Sequence, residues 1–582
     1  MQRLEDTLAG LSPGVASFKP RPGVYNPRKG LAVYFLPCGG PPLTSPGSVL
    51  GEALAGRSGL GCTMLEGVPE LLPAGAVLVS LYEDLKRTRP DLVAGVPEPT
   101  LPGEYVLFFG QGALILAGDR DGLVHGMQTL SMIILRHGDS LIPGGIVQDH
   151  PRCVDRGIAI ELCPGEISPV LVYQIVSFIT TFKGNALDWI LPDDFSNTWM
   201  RELTQVIQVT KSMGVSTTVR LPWLGKILGG DMGMQTAWSH LRTIARAFGA
   251  SRAALDDPCP DAFDQETAER IVLSITNGDL GLDQLEVDLR FIERTGLTEA
   301  VAREPALACW RRMSEPILPP ETGRATITTR IEVPGSFTGL SSASLDGFCD
   351  RLDAASEWLD LQEEKRLFVS FRNIGVSHAW QNYLPPVAAG LVMAWGIPNR
   401  ARASVRSFTE LLYGDAATEV TELWRQQDAA FPPGLSENRE RRLREIGFGD
   451  WPDLPEDAAL LAGIDWQRLV ESINSTAEKL ENVAAGLTRN KTTLVGSYLS
   501  LQLLAWLCRF SILMPEISRR RRDNFDRDGR TEPIANELMR SFEEWRDYLV
   551  RLQEESGLEI MEMEQIQSMG LRIKGLVDGI FE

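Results

Sequence analysis

Short apolar runs alternate with amphipathic segments along most of the chain between residues 156 and 427. This alternation is typical of βα units, in which strands and helices follow one another and build a parallel sheet. One predicted helix has a clear start, because Ser168 and Pro169 provide a cap and a first-turn proline. The predicted strands are 157–162, 186–191, 216–221, 252–255, 284–289, 325–333, 367–371 and 390–395. We therefore predict an α/β fold with a (β/α)8 TIM-type barrel over residues 151–430.

Different patterns lie on either side of this region. Residues 1–150 contain short strands and few helices, which predicts a small α+β accessory domain; its first 30 residues, rich in proline and glycine, are predicted to be an irregular lead-in. Residues 455–582 follow proline-rich segments and show helical periodicity, which predicts a helical domain. The helices predicted there are 466–487, 493–514, 533–555 and 560–579. We expect this domain either to cap the barrel or to form a homodimer.

Composition limits the class of protein and its partners. The chain has 582 residues, of which 43% are hydrophobic and 23% charged, as is typical of a folded protein with more than one domain. A net charge of −20 argues against a nucleic-acid partner, because phosphate binding needs clustered lysine and arginine. The most hydrophobic stretch, 494–514, includes Gly496, Gln502 and Arg509, so we expect no membrane span.

Cysteine and histidine usage bears on location and cofactors. The eight cysteines form no Cys-x-x-Cys pair and the N-terminus has no apolar signal core, so we expect reduced thiols and a cytoplasmic location. The five histidines are scattered, and the sequence has no phosphate-binding loop, dinucleotide fingerprint or His-Glu-x-x-His motif. We therefore expect neither a metal nor another cofactor.

The order of elements between residues 103 and 161 points to one kind of enzyme. Strands 103–109 and 112–119 precede a helix with the run Gly122-Leu-Val-His-Gly-Met-Gln-Thr-Leu, and a third strand leads through Asp149-His-Pro to Arg156-Gly-Ile-Ala-Ile-Glu. This segment resembles the accessory domain and first barrel strand of the β-N-acetylhexosaminidases of glycoside hydrolase family 20 and their N-acetylglucosaminidase relatives. The resemblance implies a barrel with a carbohydrate site at the C-terminal ends of its strands.

Two carboxylates follow the second predicted strand, in the run Leu187-Asp-Trp-Ile-Leu-Pro-Asp-Asp. This run is similar to the Gly-Pro-Lys-Asp-Asp segment of the O-GlcNAcases of glycoside hydrolase family 84, although Pro192 replaces the lysine. The resemblance implies that Asp193 and Asp194 hold sugar hydroxyls. The alternative is a helix cap, because an aspartate before a helix accepts hydrogen bonds from backbone N–H groups.

A second acidic pair, Asp256 and Asp257, follows the fourth predicted strand and precedes Pro258. It resembles the strand-four Asp-Asp of family 84, which implies that Asp256 orients the acetamido group of the substrate and Asp257 is the general acid/base. That chemistry needs a proton donor but no protein nucleophile, because the acetamido oxygen attacks the anomeric carbon. The pair also fits a turn or cap. The family 20 motif His-x-Gly-Gly-Asp-Glu is absent, and Glu161 and Glu332 are the alternative catalytic carboxylates if the strand-four pair is structural.

Other candidates for substrate binding lie near predicted strand ends. Trp223, Trp395 and Tyr383 are candidates for an aromatic platform under a sugar, although such rings are more often core residues. Asn373 and Arg220 are polar candidates, and Arg220 is expected either to bind a carboxylate on the sugar or to pair with a nearby acid.

These residues predict an exo-acting glycoside hydrolase that removes terminal β-linked N-acetylglucosamine or N-acetylgalactosamine by a substrate-assisted, retaining mechanism. One alternative is a different glycosidase on the same architecture, such as an α-glucuronidase or an α-N-acetylglucosaminidase. The other is a carbohydrate-binding protein that has lost catalysis.

Overall fold

The structure, a computed structural model, describes most of the chain up to residue 161 and, beyond it, mainly separate helices and strands. The described ranges are 15–29, 32–37, 44–58, 60–137, 141–161, 169–191, 215–221, 234–248, 252–255, 284–288, 307–313, 327–332, 335–336, 339–340, 345–360, 365–371, 384–396, 401–430, 466–487 and 531–556, together with isolated positions.

The first part of the fold is a seven-stranded sheet. Its strands are β1 (Ser17–Tyr25), β2 (Ala32–Phe35), β3 (Thr63–Glu66), β4 (Val77–Leu81), β5 (Tyr105–Phe109), β6 (Ala113–Ala117) and β7 (Ile142–Asp149). They pair in the order β1-β7-β5-β6-β4-β2-β3. Strand side chains alternate between two cores, since Val77 and Val79 belong to one and Leu78 to the other. The strands predicted at 103–109 and 112–119 are confirmed as β5 and β6, with bounds that differ by one or two residues.

The prediction of an irregular lead-in was wrong over Ser17–Tyr25. This segment is an edge strand that pairs antiparallel with β7, from Ser17 opposite Gln148 to Tyr25 opposite Ile142, with a shift of register between Pro20 and Val24. Proline cannot donate a ladder hydrogen bond, but it is tolerated on an edge strand and at a bulge. The prolines of Ser17–Tyr25 therefore led to the prediction of an irregular segment where the structure has a strand.

Eight further strands pair in parallel and close into a ring. They are β8 (Asp155–Glu161), β9 (Ala186–Ile190), β10 (Ser216–Leu221), β11 (Arg252–Leu255), β12 (Gln284–Asp288), β13 (Leu307–Met313), β14 (Ile327–Glu332) and β17 (Lys365–Phe371). The ring runs in that order, and β17 pairs back onto β8. Between β14 and β17, the two-residue strands β15 (Gly335–Ser336) and β16 (Gly339–Leu340) form a separate antiparallel pair. The predicted α/β fold with a parallel sheet is confirmed.

Helices accompany both sheets. They are α1 (Thr44–Ser58), α2 (Tyr82–Thr88), α3 (Arg120–His137), α4 (Pro169–Thr181), α5 (Met234–Phe248), α6 (Leu345–Leu359), α7 (Leu384–Trp395), α8 (Ala401–Tyr413), α9 (Ala417–Ala430), α10 (Trp466–Gly486) and α11 (Thr531–Ser556), with short 3-10 turns at Pro27–Lys29 and Gly414–Ala416. Four of them lie in the chain after ring strands: α4 after β8, α5 after β10, α6 after β14 and α7 after β17. The predicted helix that begins at Pro169 is confirmed.

The predicted eighth strand, 390–395, was wrong, because Leu384–Trp395 is a helix. This run is apolar at nearly every position, so periodicity cannot distinguish a buried strand from a buried helix. Pro385 and Pro386 fit the first turn of a helix, where a missing N–H costs nothing. The strand that takes the remaining place in the ring is Leu307–Met313, which carries two arginines and was not predicted.

The predicted C-terminal helices 466–487 and 533–555 correspond to Trp466–Gly486 and Thr531–Ser556. The first packs against α9, where the Lys479 ammonium donates to the Gln426 amide oxygen at 3.3 Å. The helices predicted at 493–514 and 560–579 lie outside the described residues, apart from isolated helical positions. Within the described helices, none has the length and apolar character that crossing a membrane requires.

Candidate functional site

The C-terminal ends of the ring strands all face one end of the ring, because the strands are parallel. Strands β11, β10 and β9 are consecutive neighbours there, followed by β8, β17 and β14. The chain segments that carry the two predicted aspartate pairs therefore leave from β9 and β11, which are separated in the ring by β10 alone. Glu161 and Glu332 are the last residues of β8 and β14. We call this end of the ring the mouth.

Most of the predicted site residues lie outside the described residues, beyond these strand ends. They are Asp193, Asp194, Trp223, Asp256, Asp257, Asn373 and Tyr383. For Glu161 and Glu332 only the backbone is described. Arg220 and Trp395 are described in full: Arg220 pairs with nearby acids, which is one of its two expected roles, and Trp395 has a place that the sequence did not predict.

Arg220 lies inside the ring with no exposed surface. Its guanidinium is 3.5 Å from the Asp188 carboxylate and 3.6 Å from that of Glu286. Asp188 also pairs with Arg330. Strands β10 and β12 are separated by β11, and β9 and β14 by two strands, so these contacts cross the interior of the ring. We call Asp188, Arg220, Glu286 and Arg330 the lumen layer.

Strand alternation explains how the sequence places these charges inside the ring. Asp188 stands between Leu187 and Trp189, both fully buried, and successive side chains on a strand point to opposite faces. Thr328 also faces the interior and donates its hydroxyl to Glu286 at 3.0 Å. Barrel interiors of this type are usually filled by branched aliphatic side chains. Asp188 and Arg220 are each the one charged residue of their strand, and this sequence signal for the layer was missed.

A second set of charges fills the ring near the N-terminal ends of the strands. Asp155 pairs with Arg252 and, at 3.3 Å, with Arg366. Arg366 donates to the Gln284 amide oxygen at 2.6 Å and lies 3.6 Å from the Glu286 carboxylate. It therefore links this set to the lumen layer.

Trp395 does not lie at the mouth. It ends helix α7, and its carbonyl oxygen accepts a hydrogen bond of 2.8 Å from the Arg152 N–H, just before the first residue of β8. Its indole N–H donates to Asp149 at 2.9 Å, and the Trp395 side chain has no exposed surface. The prediction that the Trp395 indole forms a platform for a sugar required that residues 390–395 form a strand and that the indole be exposed at its end. Neither condition holds.

Trp395 belongs instead to a junction between the seven-stranded sheet and the ring. Asp149, the last residue of β7, accepts hydrogen bonds from the Tyr105 hydroxyl at 2.6 Å and the Lys183 ammonium at 2.9 Å. The Lys183 ammonium also lies 4.0 Å from the centroid of the Trp395 ring. Burial lowers the pKa of Lys183 whereas Asp149 raises it, and burial together with Asp149 raises the pKa of Tyr105 well above its usual value.

His125 and Arg156 complete this junction. The Arg156 guanidinium Nη2 donates to His125 Nε2 at 3.1 Å, which leaves Nδ1 to carry the ring proton toward the Gly103 carbonyl oxygen at 3.4 Å. Burial lowers the pKa of His125 well below its usual value, and the charges of Arg156 and Lys183 lower it further. Burial also lowers the pKa of Arg156 to about 10. The histidine is therefore neutral.

The junction accounts for the segment that carried the family resemblance. Tyr105, His125, Asp149 and Arg156 all come from residues 103–161, and all are buried in contacts between the sheet and the ring. These positions serve packing and not chemistry. Among the described residues, no cluster of histidine, cysteine and acidic side chains has the arrangement of a metal site.

Comparison with known proteins gives matches in structure but not in sequence. No protein-family model matches the chain, and no curated protein matches it. The solved structure of CpGH84D has 13% identity and a TM-score of 0.57, and the match covers 98% of this chain and 99% of that one. CpGH84B has 11% identity and a TM-score of 0.55, with 97% and 99% covered. The protein therefore has a fold like that of these family 84 structures along nearly its whole length.

Proposed function

We propose that the protein is a glycoside hydrolase with its active site at the mouth of the strand ring. The observation that carries the proposal is the strand order, in which β8, β9, β10 and β11 are consecutive neighbours. The predicted carboxylates follow or end three of these strands. Carboxylates gathered at the C-terminal end of a parallel ring are the arrangement that glycoside cleavage uses. The fold shared with CpGH84D and CpGH84B supports it.

The more specific proposal is an exo-acting β-N-acetylhexosaminidase on a complete (β/α)8 barrel. Asp257 donates a proton to the departing glycosidic oxygen while the acetamido oxygen of the substrate attacks the anomeric carbon. Asp256 accepts the acetamido N–H and so orients that oxygen. Asp257 then removes a proton from the water that opens the cyclic intermediate, and the product keeps its anomeric configuration.

The remaining residues at the mouth have binding roles in this proposal. Asp193 and Asp194 bind sugar hydroxyls, Asn373, which follows β17 in the sequence, is a further polar group for the sugar, and Trp223 and Tyr383 provide ring faces for it. Trp395 has no such role, because it is fully buried at the other end of the ring. Glu161 and Glu332 take over catalysis if the Asp256–Asp257 pair proves to be structural.

The alternative of a uronic-acid glycosidase loses part of its support. It depended on a basic residue such as Arg220 that could bind a carboxylate on the sugar. Arg220 is fully buried and pairs with Asp188 and Glu286, so its charge is already compensated within the protein. Arg372, which follows β17 in the sequence and is the other candidate for that role, lies outside the described residues.

The test is hydrolysis of aryl β-N-acetylglucosaminide and β-N-acetylgalactosaminide by wild type, Asp257→Asn and Asp256→Asn. We expect wild-type turnover, and a loss of about a hundredfold or more in Asp257→Asn because a general acid contributes about that much. The control is Asp360→Asn, which changes a half-exposed carboxylate that pairs with Arg152 away from the mouth. It should keep wild-type activity.

Two results would contradict the proposal at different levels. Equal turnover by wild type and Asp257→Asn would remove Asp257 from the acid/base role and direct attention to Glu161 and Glu332. No wild-type turnover on these compounds or on a wider panel of aryl glycosides would reject the hydrolase. Retained sugar binding in that case would identify a non-catalytic carbohydrate-binding protein.

A further inference from the structure

The lumen layer places four charged side chains inside the ring. A gain in folding stability does not explain why these positions are charged. Asp188, Arg220, Glu286 and Arg330 are exposed by 1%, 0%, 2% and 3%. Removing charges from water costs about as much as their mutual attraction returns, and apolar replacements of the same volume are often at least as stable. An aliphatic layer would fill the ring equally well. The charges therefore require another explanation.

Their height in the ring connects them to the mouth. Asp188, Glu286 and Arg330 each lie two residues before the last residue of their strands, and Arg220 lies one residue before the end of β10. Since a strand rises about 3.3 Å per residue, the layer lies roughly 7 Å below the mouth. Any charge at this depth acts on groups at the mouth through protein and not through bulk water, so screening is weak.

We propose that the lumen layer sets the electrostatic potential beneath the proposed active site, and that Asp188 and Arg220 are thereby positioning residues for the glycosidase reaction. This inference rests on the proposed function. Neither residue touches substrate, because both are fully buried and paired. They act on the protonation of the carboxylate that donates to the glycosidic oxygen.

Substitution of Asp188 or Arg220 changes the ionisation of carboxylates at the mouth, in a direction that follows from the charge removed and from the charged groups that remain around it. Asp188 on β9 faces Arg220 on β10 and Arg330 on β14, and Arg220 also faces Glu286 on β12. Glu286 contacts Arg366 on β17, which pairs with Asp155 on β8. Replacing Asp188 by Asn removes a negative charge and favours ionised carboxylates at the mouth. Replacing Arg220 by Gln removes a positive charge and disfavours them.

The experiment is the pH profile of kcat/KM for Asp188→Asn and Arg220→Gln with an aryl glycoside that the wild type cleaves. We expect both limbs of the profile to move to lower pH in Asp188→Asn and to higher pH in Arg220→Gln. A charge about 10 Å away in an effective dielectric of about 20 corresponds to a shift of roughly one pH unit. Shifts in opposite directions in the two variants identify an electrostatic effect, because a loss of stability alone moves neither limb.

The matched control is Asp155→Asn, which removes a buried, paired carboxylate at the N-terminal end of the same ring. Asp155 lies six residues before the end of β8, or roughly 20 Å from the mouth, so by the same relation its pH limbs should move at most about half as far as those of Asp188→Asn. If Asp188→Asn does not fold, Glu286→Gln is the second variant. It removes a negative charge from the layer, keeps the hydrogen bond from Thr328 and should shift the limbs to lower pH.

The outcomes separate this inference from the proposed function. An active wild type whose pH limbs do not move in Asp188→Asn and Arg220→Gln, or move in the same direction in both, overturns the positioning role alone. Shifts of equal size in Asp155→Asn also overturn it, because they would not depend on distance from the mouth. A wild type that cleaves no glycoside rejects the proposed function and, with it, this inference.

Discussion

The Lys183 ammonium lies 2.9 Å from the Asp149 carboxylate, and neither side chain has appreciable exposed surface. Asp149 ends the last strand of the seven-stranded sheet, and Lys183 lies in the turn between the first helix and second strand of the ring. Lys183 also has a positive φ of 59°, which is uncommon for a residue other than glycine. The pair fixes how the sheet meets the ring.

Lys183→Met should destabilise the protein strongly. The variant leaves the Asp149 carboxylate buried without its ammonium partner, and breaking a buried ion pair in this way costs about 3–5 kcal/mol. Urea denaturation gives the free energy of unfolding. The control is Lys86→Met, which removes exposed ion pairs with Glu83 and Glu98 and should change the midpoint little. Equal midpoints for all three proteins would show that the junction does not hold the fold.

Acid should weaken the fold through His125. Its pKa is far below 6.5 in the folded protein and near 6.5 when unfolded, so below pH 6.5 the unfolded chain binds one more proton. Stability therefore falls as pH falls below 6.5, by about 1.4 kcal/mol per pH unit from this group. Urea unfolding at pH 5–8 should show a shallower acid slope in His125→Gln. An acid slope in His125→Gln equal to that of the wild type would show that His125 does not carry this dependence.

Gly157 should not tolerate a methyl group. A Cβ at this position would overlap the backbone carbonyl of Ala186 on the neighbouring strand, and backbone cannot move aside as a flexible side chain can. Gly157→Ala should cost about 1–3 kcal/mol or more of unfolding free energy, measured by urea denaturation. Gly56→Ala is the matched control, because nothing lies within 4 Å of a Cβ there. A helix favours alanine by about 0.5–1 kcal/mol, so the control should gain stability.

Cys153 should resist alkylation in the native protein. Burial raises the pKa of its thiol to about 12, so almost no thiolate is present at pH 8. Mass spectrometry after iodoacetamide treatment should find Cys153 unmodified in the folded state and modified in guanidinium chloride. Modification of the native protein at a rate typical of a free thiol would mean that this end of the ring opens readily.

Local pattern was enough to find most of the elements. The strands around Ala186–Ile190, Ser216–Leu221 and Arg252–Leu255 were predicted within a residue of their bounds, because each is a short run of mainly apolar or β-branched residues. Pattern failed where two structures share one pattern, as in Leu384–Trp395, and where prolines marked the edge strand Ser17–Tyr25. Burial against β17 and β8 accompanies the helix in the first case, and pairing with the distant strand β7 decided the second.

The candidate site also has features that the sequence determined and features that only the tertiary structure decided. The sequence by itself determined which acids follow which strands, since that is a matter of order along the chain. Only the tertiary structure decided that Arg220 pairs with Asp188 and Glu286 inside the ring, and that Trp395 packs at the junction away from the mouth. The physical reason is that a buried charge or ring is placed by partners from other strands and helices. Closure of the ring brings those partners together, and local periodicity does not encode it.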